Sequence, residues 1–478
     1  MTILASFNQS FTSITSDSRQ VKMGSLFLAY PGEKNDGRNY IALAIKAGAK
    51  AVVWEAQDFV WQTGWKVSNA SVEGLKQQAG IIASEFYKAP SGQLSMIGVT
   101  GTNGKTSVSQ WIAQCLTFLG KKTAVLGTIG NGFLTSQTAA VNTTPDAILL
   151  QGMLADFVAQ QADAVVMEVS SHGLDQGRVN GVAFDIAVLT NLSHDHLDYH
   201  KTMEAYGEAK QKLFVWDSLG AAIVNVDDAF GSKLVSTLRT QNKPCTTYGF
   251  GTADVRGSDL KLHDAGLSIQ VVTPQGSSLL IAPVLGRFNA YNVLAVLATL
   301  LALKVSLADA VSAIAKIKPV LGRMQQLGGG ELPLVVVDYA HTPDALDKVL
   351  STLKEQTQGQ LICVFGCGGD RDAGKRPLMG SVASKLANLV IVTSDNPRSE
   401  EPAAIISAVV SGMQGKFSVE PDRAKAIQLA VKLAKQGDIV LVAGKGHENY
   451  QEIAGVKQPF EDALVAQSAL KARVVDYL

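Results

Sequence analysis

GVTGTNGKTS, Gly98–Ser107, joins the apolar run SMIGV (residues 95–99) to SVSQWIAQCLTFL (residues 107–119), a segment with helical character. Strand, glycine-rich turn and helix in that order are the context a phosphate-binding loop requires. Glycines let backbone N–H groups converge on phosphate oxygens, and the start of the helix adds favourable partial charge. The residues expected to hold ATP are therefore Gly101, Thr102, Asn103, Gly104, Lys105, Thr106 and Ser107. Lys105 would neutralise the β- and γ-phosphates, and the Thr106 hydroxyl would reach Mg²⁺. The strict GxxxxGK[ST] pattern needs glycine at position 99, where this chain has Val99, so the loop is a variant form.

Outward from this loop the pattern repeats. After KAPSGQLS (Lys88–Ser95), which has the composition of a linker, short apolar runs alternate with helical stretches. The runs KTAVLGTIG, ADAVVMEVSSHG, FDIAVLTNLSHD and AAIVNVDD predict the parallel sheet of an α/β domain. Upstream, residues 1–88 are mixed, with strand candidates SLFLAYPG and AKAVVWEA. From Cys245 to Gly286 alternating, turn-rich runs predict an antiparallel extension, and a helical stretch follows over Asn289 to Leu303. LGRM, residues 321–324, marks the passage to a third domain. There PLVVVDYAHTP, QLICVFGCGGDRD, ANLVIVTSDNPR and DIVLVAGKGHE each end in a polar, glycine-rich loop. In doubly wound sheets ligands bind beyond the carboxyl ends of the strands, so these loops predict a site. The fold class is thus α/β in three domains. They are a small mixed α/β N-terminal domain (1–88), a central phosphate-loop ATPase domain with a mainly parallel sheet (89–323), and a Rossmann-like doubly wound domain (324–478).

Composition narrows the function classes. At 478 residues the chain exceeds one ordinary core, and 46% apolar with 18% charged residues excludes a mainly disordered protein. Lysine plus arginine equals aspartate plus glutamate at 42 each, which argues against a nucleic-acid partner. The first residues, MTILASFNQSFTSITSDSR, lack the basic start and apolar run of a signal peptide. The most apolar stretch, Asn292 to Val305, is shorter than the roughly 20 residues a membrane helix needs and carries Lys304. A cytoplasmic monomer with no membrane partner is expected. Cys115, Cys245, Cys363 and Cys367 have no zinc-type spacing and read as reduced thiols.

Acids and a histidine follow the loop at the ends of later runs: Glu168 after AVVM, and His196 within SHDHLDYH. Alone, such a glutamate reads as a helix cap or surface acid, and such a histidine as a local hydrogen-bonding group. With these motifs in place the chain resembles the Mur ligase family. The matching pieces, in order, are TGTNGKT, EVSSHGL, TNLSHDHLD, AYGEAKQKLF, GRFNAYN, LGRM and DYAHTPDAL. The resemblance implies uridine-nucleotide-binding, ATPase and amino-acid-binding domains, with ATP and Mg²⁺ as cofactors. It assigns Thr106, Glu168 and His196 to the metal, and Lys210 to the lysine the family carries as a carbamate. On spacing alone Lys210 is a helix-surface lysine, and Lys212 competes for the role. Asn292, Arg323 and Asp338 match positions that contact adenine, phosphate and ribose. Lys105, Lys210, His196 and Arg323 are the catalytic candidates, and His341 is expected to help position groups near the phosphates.

DNPR, Asp395–Arg398, resembles the family's recognition motif for meso-diaminopimelate, although Asp-Asn-Pro alone is an ordinary turn and helix cap. This amino acid differs from lysine by a second carboxylate, which an arginine fork binds through two parallel hydrogen bonds. Arg398 and Arg371 are the candidate forks, and Asp395, Asn396 and Pro397 complete the motif. Glu448 would meet the distal ammonium, and Gly444 would offer backbone contacts. For the nucleotide-sugar, the resemblance points to Ser16, Ser18 and the segment from Asn35 to Tyr40. For its peptide stem it points to Asn142, Thr143, Thr144, Ser170, Gln176 and Arg178.

The activity so implied is an ADP-forming ligase of peptidoglycan precursor synthesis. It would join meso-diaminopimelate to UDP-N-acetylmuramoyl-L-alanyl-D-glutamate through an acyl phosphate. Three alternatives stand beside it. They are a lysine-adding ligase, against which DNPR argues; a folylpolyglutamate-type ligase, which should lack the SDSR and DNPR regions; and a nucleic-acid-dependent ATPase, against which the neutral charge argues.

Overall fold

Apolar residues in unbroken succession, LFLA and AVVW, give the first sheet strands that are buried on both faces. A computed structural model describes residues 2–33, 35–263 and 266–476. The first sheet runs β1 (Ile14–Thr15), β2 (Leu26–Ala29), β3 (Ala51–Glu55), β4 (Ser68–Val72), all parallel. Side chains alternate between its faces. Leu26 and Leu28 pack with helix Leu75–Phe86 on one side, and Phe27 and Ala29 with helix Ile41–Lys46 on the other.

The central sheet is built from β5 (Ser95–Thr100), β6 (Thr123–Leu126), β7 (Asn131–Phe133), β8 (Ser136–Thr138), β9 (Ala164–Glu168), β10 (Ile186–Leu189), β11 (Ala221–Asn225) and β12 (Cys245–Gly249). Their spatial order is β12-β11-β10-β5-β9-β6-β7-β8. Pairing is parallel from β12 to β6 and antiparallel at β7 and β8. Register sets Thr100 opposite Leu189 and Val99 opposite Glu168, so the loop after β5 emerges between the ends of β9 and β10.

The expected antiparallel extension begins later than Cys245. Strand β12 follows the crossover helix Ala229–Thr240 and pairs parallel with β11, as a helical crossover demands. Strand β13 (Val255–His263) also starts parallel to β12 and neighbours β14 (Gly266–Thr273), which forms an antiparallel hairpin with β15 (Gly276–Ala282).

The chain divides into two compact units, residues 1–256 with 294–313 and residues 257–293 with 314–478. In the second, β16 (Gln325–Gly328), β17 (Leu334–Asp338), β18 (Leu361–Phe365), β19 (Leu389–Val392), β20 (Phe417–Val419) and β21 (Ile439–Ala443) form one sheet. Its order is β16-β17-β21-β18-β19-β20, parallel except for β16, with one apolar cluster on each face. Strand β21, the last of these six in the chain, is inserted between β17 and β18. The four polar loops therefore leave adjacent strand ends. A hairpin, β22 (Tyr450–Ile453) and β23 (Val456–Pro459), follows. Among the described residues no helix is long and apolar enough to cross a membrane. All four cysteines are free thiols.

Candidate functional site

Gly101 and Gly104 hold φ of 150° and 87°, and a Cβ at Gly101 would fall 1.9 Å from Thr190 Oγ1. Only glycine fits there. The loop is tied to the end of β10: Thr102 N donates to Asn191 O (2.9 Å), Asn103 N to Asn191 Oδ1 (3.0 Å), and Thr190 Oγ1 to Asn103 O (2.6 Å). Thus the TNLS segment braces the loop, a role the sequence reading had not given it. Helix Lys105–Phe118 starts from Gly104 without a side-chain cap, and Ser107 is buried in its first turn. Helix starts of this kind receive phosphate oxygens.

Glu168 is 1% exposed, and its carboxylate accepts hydrogen bonds from Thr106 Oγ1 (2.9 Å) and Thr128 N (2.8 Å). Two hard oxygen donors in contact beside a phosphate-type loop fit Mg²⁺, which takes one or two protein groups and completes its shell with phosphates and waters. No group of three or more His, Cys, Asp or Glu suited to a metal exists among the described residues. His196 heads helix Leu197–His200 at φ 55°, its ring 4.9 Å from His172 and 6.0 Å from Tyr206. Tyr206 in turn touches the loop, 3.1 Å from Thr102 Oγ1. Burial lowers the His196 pKa, Lys105 and Lys210 push the same way, and Asp195 opposes them. The neutral imidazole so favoured is the metal-binding form.

Lys210 is not a surface lysine. It is 1% exposed on helix Met203–Gln211, one turn after buried Tyr206, whose ring centroid lies 4.5 Å from its Nζ. Lys210 Nζ donates to Gly101 O at 3.0 Å, and Lys105 Nζ donates to the same oxygen at 2.9 Å. Burial, and then the Lys105 charge, hold the Lys210 amine well below the ordinary lysine range. Lys212, the sequence competitor, is half exposed and paired with Asp175 at 3.0 Å.

The peptide-stem candidates are brought together around Thr144. Its hydroxyl accepts from Ser170 N (2.9 Å) and donates to Glu168 O (2.9 Å), while Arg178 Nη1 donates to Thr144 O (3.1 Å). Arg178 Nε also donates to Gln176 Oε1 (2.8 Å), and Gln176 Nε2 donates to Glu33. Thr143 meets Thr128 at 3.0 Å, and Asn142 is exposed. Ser16 and Ser18 lie in the first sheet's loop region, Ser16 beside the Tyr30 hydroxyl and Ser18 opening a 3₁₀ turn. Among the described residues no hydrogen bond joins them to the Thr144 cluster.

In the second unit Arg323 lies 4.5 Å over the Tyr339 ring, and the Asp338 carboxylate accepts from Met324 N (2.8 Å) and Ala340 N (2.8 Å). Asp338 thereby fixes the LGRM turn. Asn292 is buried on Asn289 (2.8 Å), away from that turn's hydrogen bonds, and His341 packs on Tyr339 at 4.6 Å. Across the strand ends, a Cβ at Gly444 would meet Asp395 Oδ2 at 2.6 Å, Asn396 Nδ2 donates to Glu448 Oε2 (2.8 Å), and Arg398 Nη1 donates to Gly369 O (2.8 Å). Pro397 O accompanies that contact, since a Cβ at Gly369 would meet it at 2.0 Å. Arg371 is exposed on the same GCGGDRD loop.

Beneath these loops Arg423, 1% exposed, forms a two-bonded fork on Asp462 (2.7 and 2.7 Å) and donates to Ala443 O (3.0 Å). Nothing in the sequence pattern had marked it. Removing one member of a buried pair leaves an uncompensated charge. Asp462→Asn is expected to lower unfolding free energy by about 3–5 kcal/mol, measured by urea denaturation.

Three family descriptions match this chain: Mur ligase family, catalytic domain, over residues 10–87; Mur ligase middle domain, over 99–300; and Mur ligase, glutamate ligase domain, over 322–446. A UDP-N-acetylmuramoyl-L-alanyl-D-glutamate–2,6-diaminopimelate ligase of Chromobacterium violaceum is 53% identical over 463 residues, covering 96% of this chain and 94% of the relative. A solved structure with the same name is 41% identical, has a TM-score of 0.74, and covers 98% of this chain and 96% of its own. The MurF ligase of Thermotoga maritima, solved with ADP, shares the fold at 19% identity and a TM-score of 0.66, covering 96% of this chain and 98% of its own.

Proposed function

Because the chain belongs to the Mur ligase family, we propose that it joins meso-diaminopimelate to UDP-N-acetylmuramoyl-L-alanyl-D-glutamate, converting ATP to ADP and phosphate. One observation carries the reading furthest. The DNPR turn and the GKGHE loop, which set the amino acid, are in direct contact through Asn396 and Glu448. The setting is the cytoplasm, where ATP is supplied, and the working form is a monomer with no nucleic-acid or membrane partner.

The chemistry follows from the poor electrophilicity of a carboxylate, from which oxide would have to leave. Transfer of the γ-phosphoryl group of ATP to the D-glutamate γ-carboxylate gives an acyl phosphate. The amine of diaminopimelate attacks its carbonyl carbon, the C–O bond to phosphate breaks, and the nitrogen loses a proton. Catalysis of this kind is positioning and charge stabilisation. Backbone N–H groups of Gly101 to Ser107 and the Lys105 ammonium hold the phosphates. Mg²⁺, held by Thr106, Glu168 and His196, would supply charge to the transferring group. Arg323, set by Tyr339 beneath it, adds a second cation, with Asn292 and Asp338 serving the nucleoside. Thr144, Ser170, Gln176 and Arg178 orient the peptide stem with Asn142 and Thr143, and Ser16 and Ser18 take the nucleotide-sugar. Arg398 and Arg371 take the distal carboxylate, with Gly444 and Glu448 on the distal amine and Asp395, Asn396 and Pro397 shaping the turn.

With the nucleotide-sugar peptide and ATP present, ADP release is expected with meso-diaminopimelate and to be at least about 100-fold slower with L-lysine, which leaves the arginine fork unpaired. A chain that prefers lysine would overturn the assignment.

A further inference from the structure

We infer that Lys445 is a positioning residue that presents one oxygen of Glu448 to the distal ammonium of the amino acid, and so sets the preference for a substrate bearing it. This rests on the reading above. Lys445 is fully buried on the loop after β21. Its Nζ donates to Asn396 Oδ1 (2.9 Å) and to Glu448 Oε2 (3.1 Å), and Asn396 Nδ2 donates to that same Oε2 (2.8 Å). Asn396 Oδ1 is held a second time, by Glu452 N at 2.9 Å.

The arrangement is asymmetric. Among the described residues every hydrogen bond to the Glu448 carboxylate goes to Oε2. Its side chain is 19% exposed, so Oε1 is the oxygen left for a ligand. A carboxylate on a flexible side chain would otherwise share its two oxygens among solvent and neighbours. Gripped on one oxygen by a cation and an amide, it keeps a single orientation. A fully buried ammonium is costly, and apolar side chains fill such space as well or better. Asp395, at the start of the DNPR turn, has anchors of its own, since Arg423 lies 4.0 Å from its carboxylate and Gln451 Nε2 donates to Asp395 O at 2.7 Å. The lysine is therefore placed for Glu448 and Asn396.

The test compares meso-diaminopimelate with L-2-aminopimelate, which keeps both carboxylates and lacks the distal amine. Wild-type kcat/KM is expected to favour meso-diaminopimelate by about 10³-fold or more, since the analogue leaves a buried polar group unpaired. In Lys445→Met that preference is expected to fall at least about 10-fold, through KM for meso-diaminopimelate, with KM for ATP within about twofold of wild type. Lys445→Arg, which keeps the charge, should recover part of it. An unchanged preference, or equal losses for both amino acids, would make Lys445 merely structural and sink the proposal. Should Lys445→Met not fold, Lys445→Gln is read by the same ratio. A wild-type chain that releases no ADP with meso-diaminopimelate would instead overturn the functional reading itself.

Discussion

Arg398→Ala is expected to raise KM for meso-diaminopimelate by about 100-fold or more, with KM for ATP within about twofold of wild type. Truncating one partner of a buried, hydrogen-bonded charge pair costs roughly 2–5 kcal/mol, a factor of about 30 to several thousand. The guanidinium is held ready for that contact. Its Nη1 donates to Gly369 O at 2.8 Å, its Nε lies 3.6 Å from Glu452 Oε2, and its side chain is 19% exposed. The backbone is fixed as well. Arg398 N donates to Glu452 O (3.1 Å) and Arg398 O accepts from Ala454 N (2.8 Å), with φ at 53°. A non-glycine residue held there costs about 1–2 kcal/mol, which surrounding structure must impose. Arg398→Lys keeps the charge and loses the fork, so its KM should fall between wild type and alanine. Steady-state ADP release against amino-acid concentration measures all three. Unchanged affinity in Arg398→Ala would leave DNPR as a turn after a strand.

Much of this was legible in the chain because it is local. The candidate phosphate loop is a contiguous strand, turn and helix, and the four polar loops of the second unit each end an apolar run. Other features depend on partners far away in sequence. Cys245–Gly249 alternates like an antiparallel strand, yet the helix before it forces parallel pairing with β11. Lys210 lies on a polar helix, and only the fold turns it inward beneath Gly101. Arg423 and Lys445 are ordinary basic residues in sequence, and their meaning comes from Asp462 and Glu448, which the sheet brings to them. Burial of charge is a property of tertiary structure, so no periodicity could have found it.

Lys210 is also the site of the second large effect. Two ammonium groups donating to one carbonyl repel each other, and burial adds to the cost of the second. The Lys210 amine therefore holds its proton weakly in the folded chain. Unfolded, it binds a proton with a pKa of about 10.4. The site's contribution to stability is fully present above that value and is lost as pH falls toward the folded pKa. A neutral amine can attack CO₂: a C–N bond forms, the nitrogen loses a proton, and an anionic carbamate results. The repulsion with Lys105 becomes attraction, and an oxygen anion stands beside the phosphate loop. Lys210→Ala is expected to lower kcat about 10²–10³-fold, the scale for removing one preorganised charge from a reacting site. Formate, a small carboxylate able to enter the vacated space, should restore part of the rate. In CO₂-free buffer, adding bicarbonate should raise wild-type activity and Tm and leave Lys210→Ala unmoved, because a ligand that binds only the folded state stabilises it. With ¹³C-labelled bicarbonate, a carbamate resonance present in wild type and lost in the variant would identify the group. Wild-type activity and Tm indifferent to bicarbonate, with no such resonance, would leave Lys210 as a buried amine whose role is to hold Gly101.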